Sequence, residues 1–67
     1  MLDIDGKIVP VEVKYQNNIY EHNLKNLHYF MDVQGLDFGV VVTRNLFEMR
    51  KNILCIPVWM FLLIFTA

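Results

Sequence analysis

Residues 7–15 carry the clearest alternation of polar and apolar positions in the chain. Their period of two predicts a β-strand. One face of this strand is apolar and consists of Val9, Val11, Val13 and Tyr15. The opposite face consists of Ile8, Pro10, Glu12 and Lys14. An apolar face belongs in a core, so we expect Glu12 and Lys14 to lie in largely dry surroundings, where charged groups must pair or bind something.

The dipeptide Asp5-Gly6 predicts a two-residue hairpin turn, because both positions tolerate positive φ. We therefore expect residues 1–4 to pair with the strand at 7–15, which gives a hairpin over residues 1–15. Pro10 cannot donate a ladder hydrogen bond, so its side of the strand must be an edge, a bulge or a non-bonded position. The three amides at 16–18 then favour a turn and a helix cap.

The apolar period becomes helical over residues 20–34. Tyr20, Leu24, Leu27 and Met31 form one row of this predicted helix. Gly35 supplies the left-handed residue that ends it. Residues 36–43 finish in Val-Val-Val-Thr without alternation, which is typical of a strand covered on both faces. A strand, a helix and a covered strand predict a right-handed βαβ crossover with a parallel pair.

The C-terminal third is less regular. Residues 44–52 are mostly polar, and we expect a loop with at most one helical turn. A short strand is predicted at 53–56, and Pro57 suits the first turn of a helix over 57–65. Residues 53–67 carry no charge, but they are fewer than the roughly 20 that a spanning helix needs. We expect a buried helix here, with a membrane-inserted tail and an exposed apolar end as the alternatives.

The fold class is therefore α/β, with a small mixed sheet, an N-terminal hairpin, a βαβ crossover and a C-terminal apolar helix in one domain of 67 residues. The hydrophobic fraction of 55% exceeds the about 45–50% of ordinary domains, which indicates that a protein partner or a second copy covers part of the surface. A net charge of −1 gives no electrostatic footprint for nucleic acid. The single Cys55 excludes an internal disulfide and favours a reducing compartment, so a cytoplasmic location is predicted.

Several stretches, in order and covering nearly the whole chain, resemble the C-terminal domain of archaeal AAA-type ATPases. They are Ile-Val-Pro-Val-Glu-Val-Lys-Tyr (8–15), Asn-Asn-Ile (17–19), Leu-Lys-Asn-Leu (24–27), Phe-Met (30–31), Gly-Leu-Asp-Phe-Gly-Val-Val-Val-Thr (35–43) and Ile-Pro-Val-Trp-Met-Phe-Leu-Leu (56–63). The resemblance implies a partial restriction-endonuclease-like fold, whose site combines an acid on one strand with acid-x-Lys on the next. It further implies that Glu12 is a metal ligand and that Lys14 positions the attacking water or the phosphate.

The sequence departs from that family in two respects. It contains no Gly-x-x-x-x-Gly-Lys-Ser/Thr loop, so ATP hydrolysis by that route is excluded and the chain looks like a detached tail of a longer protein. A nuclease site also needs a second carboxylate at the same divalent cation. In the predicted hairpin, Asp3 faces Ile8 and shares a face with Glu12, but at roughly 13 Å, given about 3.3 Å per residue. The family's other acid falls at or before Met1, so we expect an incomplete site.

The resemblance and these two departures together imply an ATPase-like fragment without catalytic activity or a cofactor of its own. A salt bridge is the simplest interpretation of Glu12 and Lys14. The first alternative is a metal-dependent nuclease subunit that uses these two residues, Mg²⁺ and an acid borrowed in an oligomer. The second is a small membrane-associated protein anchored by residues 53–67. Cys55, between two apolar neighbours, is expected to be a buried, inert thiol.

Overall fold

The computed structural model describes residues 2–65, which form an α/β fold with two small sheets and two helices. In chain order the elements are β1 (Leu2–Ile4), β2 (Lys7–Val9), β3 (Val11–Val13), α1 (Glu21–Gln34), β4 (Gly39–Thr43), β5 (Glu48–Arg50), β6 (Ile53–Pro57) and α2 (Val58–Phe65).

The predicted N-terminal hairpin is present as β1 and β2, which pair antiparallel. Asp5 and Gly6 form the turn with φ values of 53° and 82°, as a tight two-residue hairpin turn requires. The side chain of Asp3 braces it, because its Oδ1 accepts a hydrogen bond of 3.0 Å from the Gly6 N–H. The predicted facing of Asp3 and Ile8 is confirmed. The predicted facing of Met1 and Pro10 lies outside the described residues.

The prediction of one strand over residues 7–15 is wrong, because the strand is divided at Pro10. The segment before Pro10 is β2 of the hairpin sheet, whereas the segment after it is β3 of a four-stranded sheet. Pro10 has no N–H to donate, although its carbonyl accepts a bond of 2.9 Å from the Val40 N–H. The apolar face is not wholly buried either. Val9 is buried, but Val13 and Tyr15 are 65% and 63% exposed.

The four-stranded sheet has the order β3-β4-β6-β5. β3 and β6 pair parallel with β4, and β5 pairs antiparallel with β6. α1 connects the parallel pair β3 and β4, so the predicted βαβ unit is confirmed. All five residues of β4 are buried, as its unbroken β-branched run predicts.

Local signals at both ends define α1. At its start, the Asn23 side-chain oxygen accepts a bond of 2.8 Å from the Tyr20 N–H, and so satisfies a backbone donor beside the first turn. At its end, Gly35 adopts φ 66°, and the Leu36 N–H then bonds the Met31 carbonyl at 2.8 Å. The helix predicted over 20–34 is therefore confirmed, with Tyr20 as its cap rather than its first residue.

Each face of the four-stranded sheet has its own core. Side chains of α1 cover one face, where the buried cluster is Ile19, Leu24, Leu27, Met31, Val41, Ile53 and Cys55. The hairpin and the start of α2 cover the other face, where the buried cluster is Val9, Val40, Val42 and Ile56. The sheet is thus the middle of three layers, and its two clusters follow the alternation of β4 and β6.

The loop predicted over 44–52 is wrong at its centre, because Glu48–Arg50 forms β5 against β6, whereas residues 44–47 and 51–52 lie in no helix or strand. Lys51 supports the tight connection by adopting φ 53°, a left-handed conformation that few non-glycine residues take. The strand predicted at 53–56 is confirmed and extends by one residue to Pro57. Pro57 therefore ends β6 instead of opening the helix.

α2 occupies Val58–Phe65 but has no buried residue, so the expectation of a buried helix is wrong. Trp59, Leu63 and Ile64 are 52%, 65% and 58% exposed. The cause is geometric, because only the first turn of the helix reaches the sheet, through Val58, Met60 and Phe61. Across residues 2–65, the structure contains no helix with the length and apolar character needed to cross a bilayer.

Candidate functional site

Glu12 and Lys14 lie where β3 meets α1. Glu12 is directly opposite Val41 in the parallel ladder, and Val41 belongs to the core beneath α1. The Glu12 side chain therefore points to the α1 face of the sheet. A cleft of about 240 Å³ opens there between strand and helix, lined by Pro10, Val11, Glu12, Asn26, Leu27 and Phe30. Glu12 is the one carboxylate among the residues that line this mostly apolar cleft.

The two charges form a loose ion pair. Lys14 Nζ lies 3.7 Å from Glu12 Oε1, and the side chains are 33% and 32% exposed. At that separation and exposure the pair contributes little to stability, since solvent screens it. The other carboxylate oxygen, Glu12 Oε2, is buried and has no hydrogen-bond partner. The side chain thus has one oxygen near water and one buried without a donor, and the buried oxygen is the more informative of the two.

The acids that precede Glu12 in the chain, Asp3 and Asp5, belong to the hairpin and not to the sheet that holds Glu12. Asp3 is in β1, and its carboxylate is used by the Gly6 N–H in the hairpin turn. Asp5 is the turn residue itself. On β4, the strand paired with β3, the residue opposite Glu12 is the apolar Val41. Among residues 2–65, no three His, Cys, Asp or Glu side chains are grouped so that they could hold a metal ion.

The basic residues after β4 do not form one cluster. Arg44 places its guanidinium 5.5 Å from the centre of the Tyr15 ring, a cation–π geometry that ties this segment to the end of β3. Arg50 pairs with Glu48 along β5. Sequence reasoning missed both contacts, because the first depends on the parallel pairing of β3 with β4 and the second on a strand that was predicted to be a loop.

Cys55 is fully buried within the core beneath α1. Burial raises the pKa of its thiol above the ordinary value of 9.0, and Glu48 raises the pKa further, whereas Arg50 opposes both. A raised pKa leaves the thiol protonated at neutral pH, so it is a poor nucleophile and a poor metal ligand. The structure supports the predicted inert thiol.

A second cavity, of about 220 Å³, lies between the hairpin and the segment after α1. Its lining is Lys7, Ile8, Val9, Gly35, Leu36, Asp37 and Phe38. No sequence signal predicts it, because its walls come from segments far apart in the chain. Its two charged residues have opposite sign, and the cavity presents no cluster of polar groups that indicates a ligand.

Comparisons with family models, with curated proteins and with solved structures gave no match to this chain. The resemblance to the archaeal ATPase domain therefore depends on the residues quoted above.

Proposed function

We propose that this chain is a non-hydrolysing interaction module related to the restriction-endonuclease-like C-terminal domain of archaeal AAA-type ATPases. The order of elements supports the proposal: the Glu-x-Lys strand follows a hairpin and precedes a helix and a covered parallel strand. In this proposal Glu12 and Lys14 are the remnant of a nuclease site, and the protein acts by binding rather than by cleavage.

One observation carries this proposal. Glu12 is the single carboxylate that lines the cleft between β3 and α1, and the facing position on β4 is Val41. Phosphodiester hydrolysis of this kind needs two or more carboxylates around one divalent cation, which orient the metal-bound water and neutralise the phosphate. With one carboxylate, Mg²⁺ keeps most of its water shell and binds weakly.

The surface of α2 supports a protein partner. It presents exposed Trp59, Leu63 and Ile64 and carries neither Lys nor Arg. Helices that lie on anionic membranes carry basic residues beside the apolar face, and α2 lacks them. An uncharged apolar protein surface is therefore the partner that fits this helix best.

A metal titration tests the absence of a nuclease site. Calorimetry with Mg²⁺ and Mn²⁺ should detect no binding heat that depends on Glu12, and plasmid DNA should stay intact with either ion. Glu12→Gln is the informative variant, and Asp3→Asn is the matched control, because Asp3 only braces the hairpin turn. A binding signal and DNA cleavage that are both lost in Glu12→Gln and kept in Asp3→Asn would refute the proposal.

A second candidate function is a metal-dependent nuclease that assembles between subunits. The observation that favours it is the buried Glu12 Oε2 without a hydrogen-bond donor, since a cation would satisfy this oxygen. Glu12 would then hold Mg²⁺, and Lys14 would orient the water or the phosphate. Cleavage activity that rises with the square of protein concentration would support this candidate, because each site would need an acid from a second subunit.

A further inference from the structure

β3 is an edge strand with one open side. The Lys14 N–H donates to β4, and the Pro10 carbonyl accepts from β4, each at 2.9 Å. Backbone groups alternate along a strand, so Val11 and Val13 direct their N–H and C=O groups away from β4. Within residues 2–65, no strand pairs with that side of β3. The open side therefore offers a row of backbone donors and acceptors.

The two edge strands of the sheet, β3 and β5, each carry an ion pair between residues two apart, Glu12 with Lys14 and Glu48 with Arg50. They differ in the residue between the charges, which is the unbranched Met49 on β5 and the β-branched Val13 on β3. Along β3, Val13 and Tyr15 are 65% and 63% exposed. Exposed β-branched and aromatic side chains on an unpaired strand are typical of an edge that pairs with another chain.

The sequence of this edge is complementary to itself. Residues 11–15 read Val-Glu-Val-Lys-Tyr, with Val13 at the centre. An antiparallel copy centred on Val13 places Glu12 opposite the partner's Lys14 and Val11 opposite the partner's Tyr15. Two-fold symmetry repeats both pairs. Opposite charges and aromatic pairs with β-branched residues are favourable neighbours across strands. The outward backbone of Val13 makes this a hydrogen-bonded register.

This arrangement also brings a second ammonium group close to the Glu12 carboxylate. Within one chain, Lys14 is closest to Glu12 Oε1 and leaves Oε2 without a partner. Residues directly opposite each other in an antiparallel pair project from the same face of the sheet. In this register the ammonium group of the partner's Lys14 would therefore lie on the same face of the sheet as Glu12, beside its carboxylate.

We propose that two copies of this chain associate through β3, in the register centred on Val13, and so join their four-stranded sheets into one sheet of eight strands. The inference goes beyond the proposed function and does not depend on it. Pairing ends near Tyr15, because the Gln16 N–H turns back to the Lys14 carbonyl at 2.7 Å. An interface of five residues on each side is small, so the dimer is weak.

A charge exchange tests the register. Glu12→Lys alone and Lys14→Glu alone each place like charges opposite one another twice, and each should weaken dimerisation by roughly tenfold or more. An equimolar mixture of the two variants restores both opposite-charge pairs and should associate as the unmodified chain does. Sedimentation velocity from about 10 µM to about 1 mM covers the range expected for a small interface. An unmodified chain that stays monomeric over this range would overturn the proposal.

Disulfide trapping provides a second measurement that needs no charge change. Val13→Cys should form a covalent dimer on mild oxidation, because the two positions face each other across the two-fold axis at a Cα separation of about 5.5 Å. Val11→Cys is the matched uncharged comparison and should cross-link poorly, because Val11 lies opposite the partner's Tyr15 in this register. A reversed result would show a register centred on Val11, in which Glu12 no longer faces Lys14, and would contradict the proposed pairing. Cys55 is buried and does not compete.

A further variant distinguishes association through β3 from association through the exposed face of α2. Leu63→Glu places a charge on the exposed face of that helix, where Leu63 is 65% exposed. Dimerisation through β3 should persist in this variant. If Leu63→Glu abolishes association and the charge exchanges at β3 leave it unchanged, the contact lies on α2 and the proposal is wrong.

Discussion

Replacing Glu12 by Met is expected to stabilise the isolated chain. The substitution removes the carboxylate and keeps an unbranched side chain of similar length beside Leu27 and Phe30. A residue that supports a binding site is often retained although it lowers stability, and the buried oxygen of Glu12 suggests such a case. The expected gain in the free energy of unfolding is about 1 kcal/mol.

The magnitude follows from two opposing terms. A buried acceptor without a hydrogen bond costs about 1–3 kcal/mol, and the low end applies because the side chain is 32% exposed. The substitution also removes the ion pair with Lys14, which reduces the gain. This pair is long and solvent-screened and contributes about 0–1 kcal/mol. Contacts between the Met thioether and the apolar wall of the cleft add to the gain. The net sign is therefore positive.

Urea denaturation followed by far-ultraviolet circular dichroism measures this gain, at concentrations where the protein is monomeric. In thermal unfolding the melting temperature should rise by about 4–8 °C for a gain of 1 kcal/mol in a domain of this size. Lys14→Met is the control, since it breaks the same ion pair but keeps the carboxylate, and it should be neutral or destabilising by up to about 1 kcal/mol. Loss of stability in Glu12→Met, or equal effects in the two variants, would refute the reasoning.

Three further outcomes are expected. Leu24→Ala should lower the free energy of unfolding by about 2–5 kcal/mol in urea titration, because Leu24 is 1% exposed beneath the sheet. Asn23→Ala should lower it by about 1 kcal/mol through the lost bond to the Tyr20 N–H, whereas Asn26→Ala one turn later should not. Stability should fall as pH rises above the ordinary thiol pKa of 9.0, since the unfolded chain releases the Cys55 proton first. Cys55→Ala should remove that pH dependence.

Elements that are defined by neighbouring residues could be predicted from the sequence. Asp5-Gly6 specifies its own turn because both residues accept positive φ, and Gly35 does the same for the end of α1. The unbroken valines of β4 indicate burial on both faces, and the structure confirms it. In each case the physical cause lies within a few residues of its effect.

The errors arise where a distant element determines the outcome. β5 has weak strand character, and it forms because β6 offers an edge for pairing. Pro10 suggested an irregularity, but the division of the strand between two sheets depends on where β4 lies. For α2, an uncharged apolar run predicted burial, and burial fails because the sheet extends under its first turn only. At the candidate site, Glu12 and Lys14 could be identified from the sequence. The burial of Glu12 Oε2 could not, because it depends on where α1 lies against the sheet.

The uncovered face of α2 has a consequence for the lifetime of the protein. Chaperones and proteases in the cell act on proteins that expose apolar segments, and α2 exposes Trp59, Leu63 and Ile64. We therefore expect a chain whose α2 is covered to persist and one whose α2 is uncovered to be degraded faster. If the proposed partner covers α2, the cellular abundance of this protein would report how much of that partner is present, because surplus copies would be removed without any dedicated signal.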